Sequence, residues 1–154
     1  MQRFYFDTSV FGGIFDEEFE LESALIFKMV KSGLIRCVYS DLTEKELLNA
    51  PENVRLFFES LSSHSTEKVL ITEECFSLAK LYIEEKVVGQ TSLDDCLHIA
   101  TATLNKVDIL VSWNFKHIVN IYRIRGYNSV NMKLGHGTLE IRSPKEIVSN
   151  GNED

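Results

Sequence analysis

Apolar and polar positions follow two rhythms along this chain. Apolar runs of strand length fall at residues 3–6, 34–39, 109–112 and 139–142. They are rich in aromatic or branched residues and give way to polar ones, as buried strands do. Between them, apolar residues recur at helical spacing. Leu21, Ala24, Leu25 and Met29 mark one face of a helix over 20–32, which Gly33 ends. Ser40 or Asp41 starts a helix over 41–49, and Thr43 with Glu46 has capping-box spacing. Pro51 opens a helix to residue 61, followed by a polar loop over 62–66. Residues 69–71 read either as a short strand or as the lead-in to the next helix. Thr72 caps a helix over 73–85, and Gly89 ends that segment. Ser92 caps a helix over 93–105, and 114–125 reads as another. Pro144 opens a closing helical turn, and 149–154 form a polar tail. Gly12-Gly13 loosens the chain after the first strand.

Short strands alternating with amphipathic helices imply βαβ units. The fold class is α/β, a three-layer α/β/α sandwich around a central, mainly parallel sheet of about four or five strands. Residues 1–148 read as a single domain. No apolar run reaches the roughly 18 residues of a membrane helix. Asp7 interrupts the N-terminal run too early for a secretory signal. Cys37, Cys75 and Cys96 are scattered, with no C-x-x-C pair, which argues against a disulfide framework and for a cytoplasmic protein.

The formal charge of −7 argues against a nucleic-acid partner only until its distribution is considered. Residues 115–145 hold six basic residues against one acid, a local +5, while the rest holds 10 basic and 22 acidic residues, or −12. A basic C-terminal stretch is thus averaged with an acidic remainder.

In open α/β sheets, ligands bind beyond the carboxyl ends of the strands. Asp7 ends the first strand, Glu46 lies in the helix after the second, Asp95 opens the helix before the run 109–112, and Asn114 follows that run. Carboxylates gathered from separate segments repel one another unless a hard cation such as Mg²⁺ or Mn²⁺ joins them. Each residue also has a plainer reading. Asp7-Thr8-Ser9 fits a polar turn, Glu46 a capping-box acid, Asp94 and Asp95 the positive end of a helix, and Asn114 a cap.

Four segments stand out: Tyr5-Phe6-Asp7-Thr8-Ser9-Val10; Val38-Tyr39-Ser40 followed by Glu46-Leu47; Asp95-Cys96-Leu97-His98-Ile99-Ala100-Thr101-Ala102; and Ile109-Leu110-Val111-Ser112-Trp113-Asn114-Phe115. Together they resemble the PIN-domain family of metal-dependent nucleases, which includes VapC-type toxins. The third is the most specific, and residues 139–148 resemble the family's closing strand and turn. The resemblance implies a PIN-like fold and catalytic, metal-holding roles for Asp7, Glu46 and Asp95, with Asn114 assisting. Asp95 and Glu46 hold the matching offsets, rather than their neighbours Asp94 and Glu44. It further implies an endoribonuclease that hydrolyses RNA with Mg²⁺ or Mn²⁺, a homodimer, and an antitoxin protein as partner.

Asn114 departs from the pattern, since many members have an acid there. The alternative is therefore a catalytically weak or inactive PIN-like module that binds RNA or a partner protein. Ser9 and Ser112 are candidate hydroxyls for orienting the carboxylates. Lys116, His117, Arg123 and Arg125 are candidate RNA-phosphate contacts. His98 shares the helix of Asp95 and reads as a packed, hydrogen-bonded histidine. Trp113, Phe115 and Tyr122 read either as base-stacking rings or as core. A haloacid-dehalogenase-type phosphohydrolase would need a second aspartate where Ser9 stands, and a receiver domain would need an acidic pair near Asp7.

Overall fold

The computed structural model describes residues 1–86 and 91–151. In chain order these form β1 (Gln2–Phe6), α1 (Thr8–Gly13), α2 (Glu20–Lys31), β2 (Ile35–Ser40), α3 (Asp41–Leu47), α4 (Glu52–Glu59), β3 (Thr66–Val69), α5 (Glu73–Glu84), α6 (Leu93–Leu104), β4 (Ile109–Val111), α7 (Ile121–Lys133), β5 (Glu140–Arg142) and α8 (Pro144–Gly151). The five strands make one sheet in the order β3-β2-β1-β4-β5, and every neighbouring pair is parallel.

The alternation of side chains along the strands explains the layers. Phe4, Phe6, Ile35, Cys37 and Val111 face a core completed by Val10, Phe11, Ile26, Phe27, Val30, Val54 and Val148 from α1, α2, α4 and α8. Tyr5, Val38, Leu110 and Ile141 face the opposite core, built with α5, α6 and α7. Both faces of the sheet are covered, as a parallel sheet requires. The three cysteines are free and buried, consistent with a packing role.

Topology locates the crevice. The chain lays down β1, β2 and β3 in one direction, then returns to the other side of β1 for β4. Strand order reverses between β1 and β4, so their carboxyl ends flank the place where open α/β sheets bind ligands.

Several expected boundaries move. Residues 8–13 are helical despite Gly12-Gly13. Gly13 serves close approach: a Cβ there would come 2.7 Å from Trp113 Nε1. The third strand is Thr66–Val69 rather than 69–71. It is an edge strand carrying Glu67 and Lys68, and charge on an edge deters pairing with other chains. The helix expected over 114–125 begins only at Ile121, where the Asn120 side chain accepts from Tyr122 N and Arg123 N. Asn114 closes an earlier turn. The capping box is Ser40 with Thr43, not Thr43 with Glu46. A second box, Ser143 with Glu146, starts α8, which reaches Gly151 and so takes in part of the expected tail. Gly89 and residues 152–154 lie outside the described residues.

Candidate functional site

Three adjacent strands deliver polar groups to one edge of the sheet. Asp7 follows β1, Ser40 ends β2, and Ser112 follows β4. Asp7 is only 5% exposed. Ser9 Oγ donates to its Oδ1 at 2.6 Å, and Ser112 Oγ donates to its Oδ2 at 2.9 Å. Each hydroxyl also accepts a backbone N–H at 2.9 Å, Ser9 from Trp113 and Ser112 from Asn114. The segments after β1 and β4 are therefore laced together through one carboxylate. Burial pushes the Asp7 carboxyl up to about 6, with the charge of Asp95 adding to the rise, against the pull of His98 and the two serines.

Glu46 lies on α3, which Ser40 caps. With the capping box completed by Thr43, its carboxylate is free for other partners. Thr8 Oγ1 donates to Oε1 at 2.7 Å, and His98 Nε2 lies 2.6 Å from the same oxygen. Burial raises the Glu46 pKa, but the hydrogen bond and charge of His98, with the Thr8 hydroxyl, outweigh it, so the net shift is downward. The His98 pKa shifts the opposite way. Burial lowers it, and the bond to Glu46 with the charges of Glu46, Asp7 and Asp95 carries it above its ordinary value. The two directions agree: each partner favours the charged form of the other.

Asp95 is in the first turn of α6, where its backbone N–H donates to the capping Ser92 hydroxyl at 3.1 Å. Burial raises its pKa, and the charge of Glu46 adds to the rise against Ser92, His98 and His117. Asp7, Glu46 and Asp95 thus share an electrostatic environment, and His98 acts on all three. The neighbours are engaged elsewhere. Glu44 pairs with Lys68 at 2.5 Å, and Asp94 lines a separate groove with Asp41, Lys45 and Phe76.

Asn114 sits beside this set, but its Oδ1 already accepts from His117 N at 2.9 Å, and its carbonyl oxygen accepts from Ile118 N and Val119 N. His117 and Arg123 lie against the start of α6. The charge of His117 acts on Asp95, and Arg123 Nη1 donates to the Thr91 hydroxyl. Lys116 and Arg125 are exposed. Trp113 is buried and stacked on Phe19 at 4.2 Å between centroids, so it belongs to the core. Phe115 and Tyr122 are 48% and 76% exposed.

Among the described residues, no three His, Cys, Asp or Glu side chains are placed to close on a metal ion as they stand. In kind, the donors suit a hard cation. Asp7, Glu46 and Asp95 offer oxygen only, and the burial that raises Asp7 and Asp95, to which the charge of a neighbouring carboxylate adds, is offset by a nearby positive charge. Sequence reasoning did not find Thr8 or Tyr5, whose hydroxyl lies 2.7 Å from His98 Nδ1. A tyrosine alternating with phenylalanines in a buried strand was the available signal, because a buried phenol needs a polar partner.

No known family profile matches the chain, and no curated protein matches its sequence. Solved structures do. A chain of the VapBC2 complex from Rickettsia felis, bound to a DNA fragment from its promoter, aligns with a TM-score of 0.57 at 12% identity, covering 92% of this chain and 98% of that one. A chain of a toxin–antitoxin complex from Klebsiella pneumoniae aligns with a TM-score of 0.51 at 17% identity, covering 73% of this chain and 88% of that one. At these identities the likeness is one of fold. The protein is an α/β/α domain with a PIN-like fold, consistent with the resemblance carried by its four sequence segments. Among the described residues, no helix is long and apolar enough to cross a membrane.

Proposed function

We propose that the protein is a Mg²⁺- or Mn²⁺-dependent endoribonuclease, acting as the toxin of a toxin–antitoxin pair. The observation that carries this reading is the gathering of Asp7, Glu46 and Asp95 around His98 at the carboxyl edge of a PIN-like sheet. Asp7, Glu46 and Asp95 would hold the cation, with Asn114 beside them. The bound cation would supply Lewis-acid polarisation of a phosphate oxygen and lower the pKa of water.

The chain's own residues prepare that chemistry. Ser9 and Ser112 fix the Asp7 carboxylate from both sides. His98 and Thr8 hold Glu46 by one oxygen. Asp95 or Glu46 would take the proton released by the attacking water. The exposed Lys116 and Arg125, with the part-buried Arg123, supply positive charge for the RNA backbone, and the part-buried His117 ring is a further phosphate contact. The antitoxin and a homodimer belong to the same proposal. The antitoxin is supported by structural neighbours drawn from toxin–antitoxin complexes, one of them on promoter DNA.

The test is cleavage of an RNA oligonucleotide with Mn²⁺, repeated in EDTA and with Asp95→Asn. Activity is expected with the cation only, and to collapse in the variant. Equal cleavage in EDTA would refute the reading. One observation favours a second reading, a weak or inactive PIN-like module: the Asn114 side-chain oxygen is already used as a turn cap. That reading predicts RNA or antitoxin binding without turnover.

A further inference from the structure

A buried line of hydrogen bonds reaches Glu46 from behind the sheet edge. Ser40 Oγ lies 2.8 Å from Tyr5 OH, and Tyr5 OH lies 2.7 Å from His98 Nδ1. His98 Nε2 lies 2.6 Å from Glu46 Oε1, which also accepts from Thr8 Oγ1 at 2.7 Å. Ser40 and Tyr5 are fully buried, and His98 is 2% exposed. The line joins residues from β1, the end of β2, α3 and α6. Its direction at Glu46 is fixed by chemistry. An ionised carboxylate only accepts, so His98 Nε2 must carry the hydrogen.

Both donors converge on Oε1, and among the described residues no hydrogen bond reaches Oε2. A half-exposed glutamate otherwise samples several rotamers, and ordering it costs side-chain entropy. Tying one oxygen to a buried imidazole fixes where the other lies. We infer that His98 is a positioning residue: with Tyr5 and Ser40 holding its ring, it anchors Glu46 by Oε1 and leaves Oε2 as the oxygen offered to the cation. This inference rests on the metal-dependent nuclease reading for what Oε2 meets, and on geometry alone for the anchor.

Two substitutions separate positioning from packing. The amide of glutamine reaches roughly as far as imidazole Nε2, and that of asparagine roughly as far as Nδ1. His98→Gln keeps a donor for Glu46, whereas His98→Asn keeps a partner for Tyr5 and releases Glu46. Mn²⁺ affinity by calorimetry and kcat and KM on one RNA oligonucleotide are measured alongside melting temperature. His98→Gln is expected to stay near wild type. His98→Asn is expected to lose about 10- to 100-fold in Mn²⁺ affinity, with kcat falling and KM unchanged. Equal losses in both variants, following their melting temperatures, would overturn the inference.

Nitrogen-15 NMR of the metal-free wild type reads the anchor directly. A slowly exchanging Nε2 proton on His98 that shifts in Glu46→Gln is expected, and a bare Nε2 overturns the inference whether or not either variant folds. If that proton is present while wild type neither binds Mn²⁺ nor cuts RNA, the nuclease reading fails and the anchor stands.

Discussion

Asp7 should cost the metal-free protein stability at neutral pH. Its ordinary pKa is 3.8, and burial raises it to about 6 in the folded chain. Between those values the folded protein holds a proton that the unfolded chain has lost, so stability falls as pH rises through the window and the full cost is present above it. A span of about 2 pH units at about 1.4 kcal/mol each gives roughly 3 kcal/mol. Asp7→Asn removes that charge. It also turns an amide NH₂ towards Ser9 or Ser112, whose hydroxyls now donate to carboxylate oxygens. One hydroxyl then loses its acceptor, at about 1 kcal/mol. The variant is therefore expected to be about 2 kcal/mol more stable than wild type at pH 7.5 in EDTA, with the gain vanishing between about pH 4 and 5 and turning into a deficit of about 1 kcal/mol near pH 3. Urea unfolding across pH 3–8 measures it. A variant no more stable than wild type at pH 7.5, or a difference independent of pH, would refute the argument. Excess Mn²⁺ should reverse the order, since only wild type keeps the charged ligand.

Three further outcomes are expected. Asn114→Asp keeps an oxygen to cap His117 N and restores a charge beside the site, so Mn²⁺ affinity by calorimetry should rise; unchanged affinity would place residue 114 outside the metal's reach. Lys116→Ala and Arg125→Ala should each reduce the salt dependence of single-stranded RNA binding by about 0.7 in the log–log slope, and an unaltered slope would take the basic stretch off the RNA path. Gly13→Ala should destabilise by roughly 1–3 kcal/mol in scanning calorimetry, because the added Cβ collides with the Trp113 indole and the Ser23 hydroxyl; an unshifted melting temperature would mean the two helices give way freely.

The sheet was legible because each central strand is an apolar run whose alternate residues serve two different cores, as Phe4, Tyr5 and Phe6 do. Elements that break this pattern were displaced. β3 reads as Thr-Glu-Lys-Val because an edge strand is marked by charge. The C-terminal half of α7 was hidden because its inward face includes polar side chains: Asn131 accepts from the Tyr82 hydroxyl, and Asn128 bonds the Leu139 backbone. Their partners are distant in sequence, so no local rhythm announces them. The same holds at the site. Asp7, Glu46 and Asp95 carry local motif context, whereas the contact of His98 with Glu46 spans 52 positions and emerges only when α3 and α6 meet above the sheet.

Trp113 gives this architecture a practical consequence. It is the sole tryptophan in the chain. Its backbone N–H rests on the serine that grips Asp7, and its indole N–H donates to Ser23 of α2 at 2.8 Å. The protein therefore carries a built-in optical probe whose backbone lies two hydrogen bonds from the Asp7 carboxylate. Emission from an unlabelled sample should register any shift of Asp7 or α2 as ligands arrive.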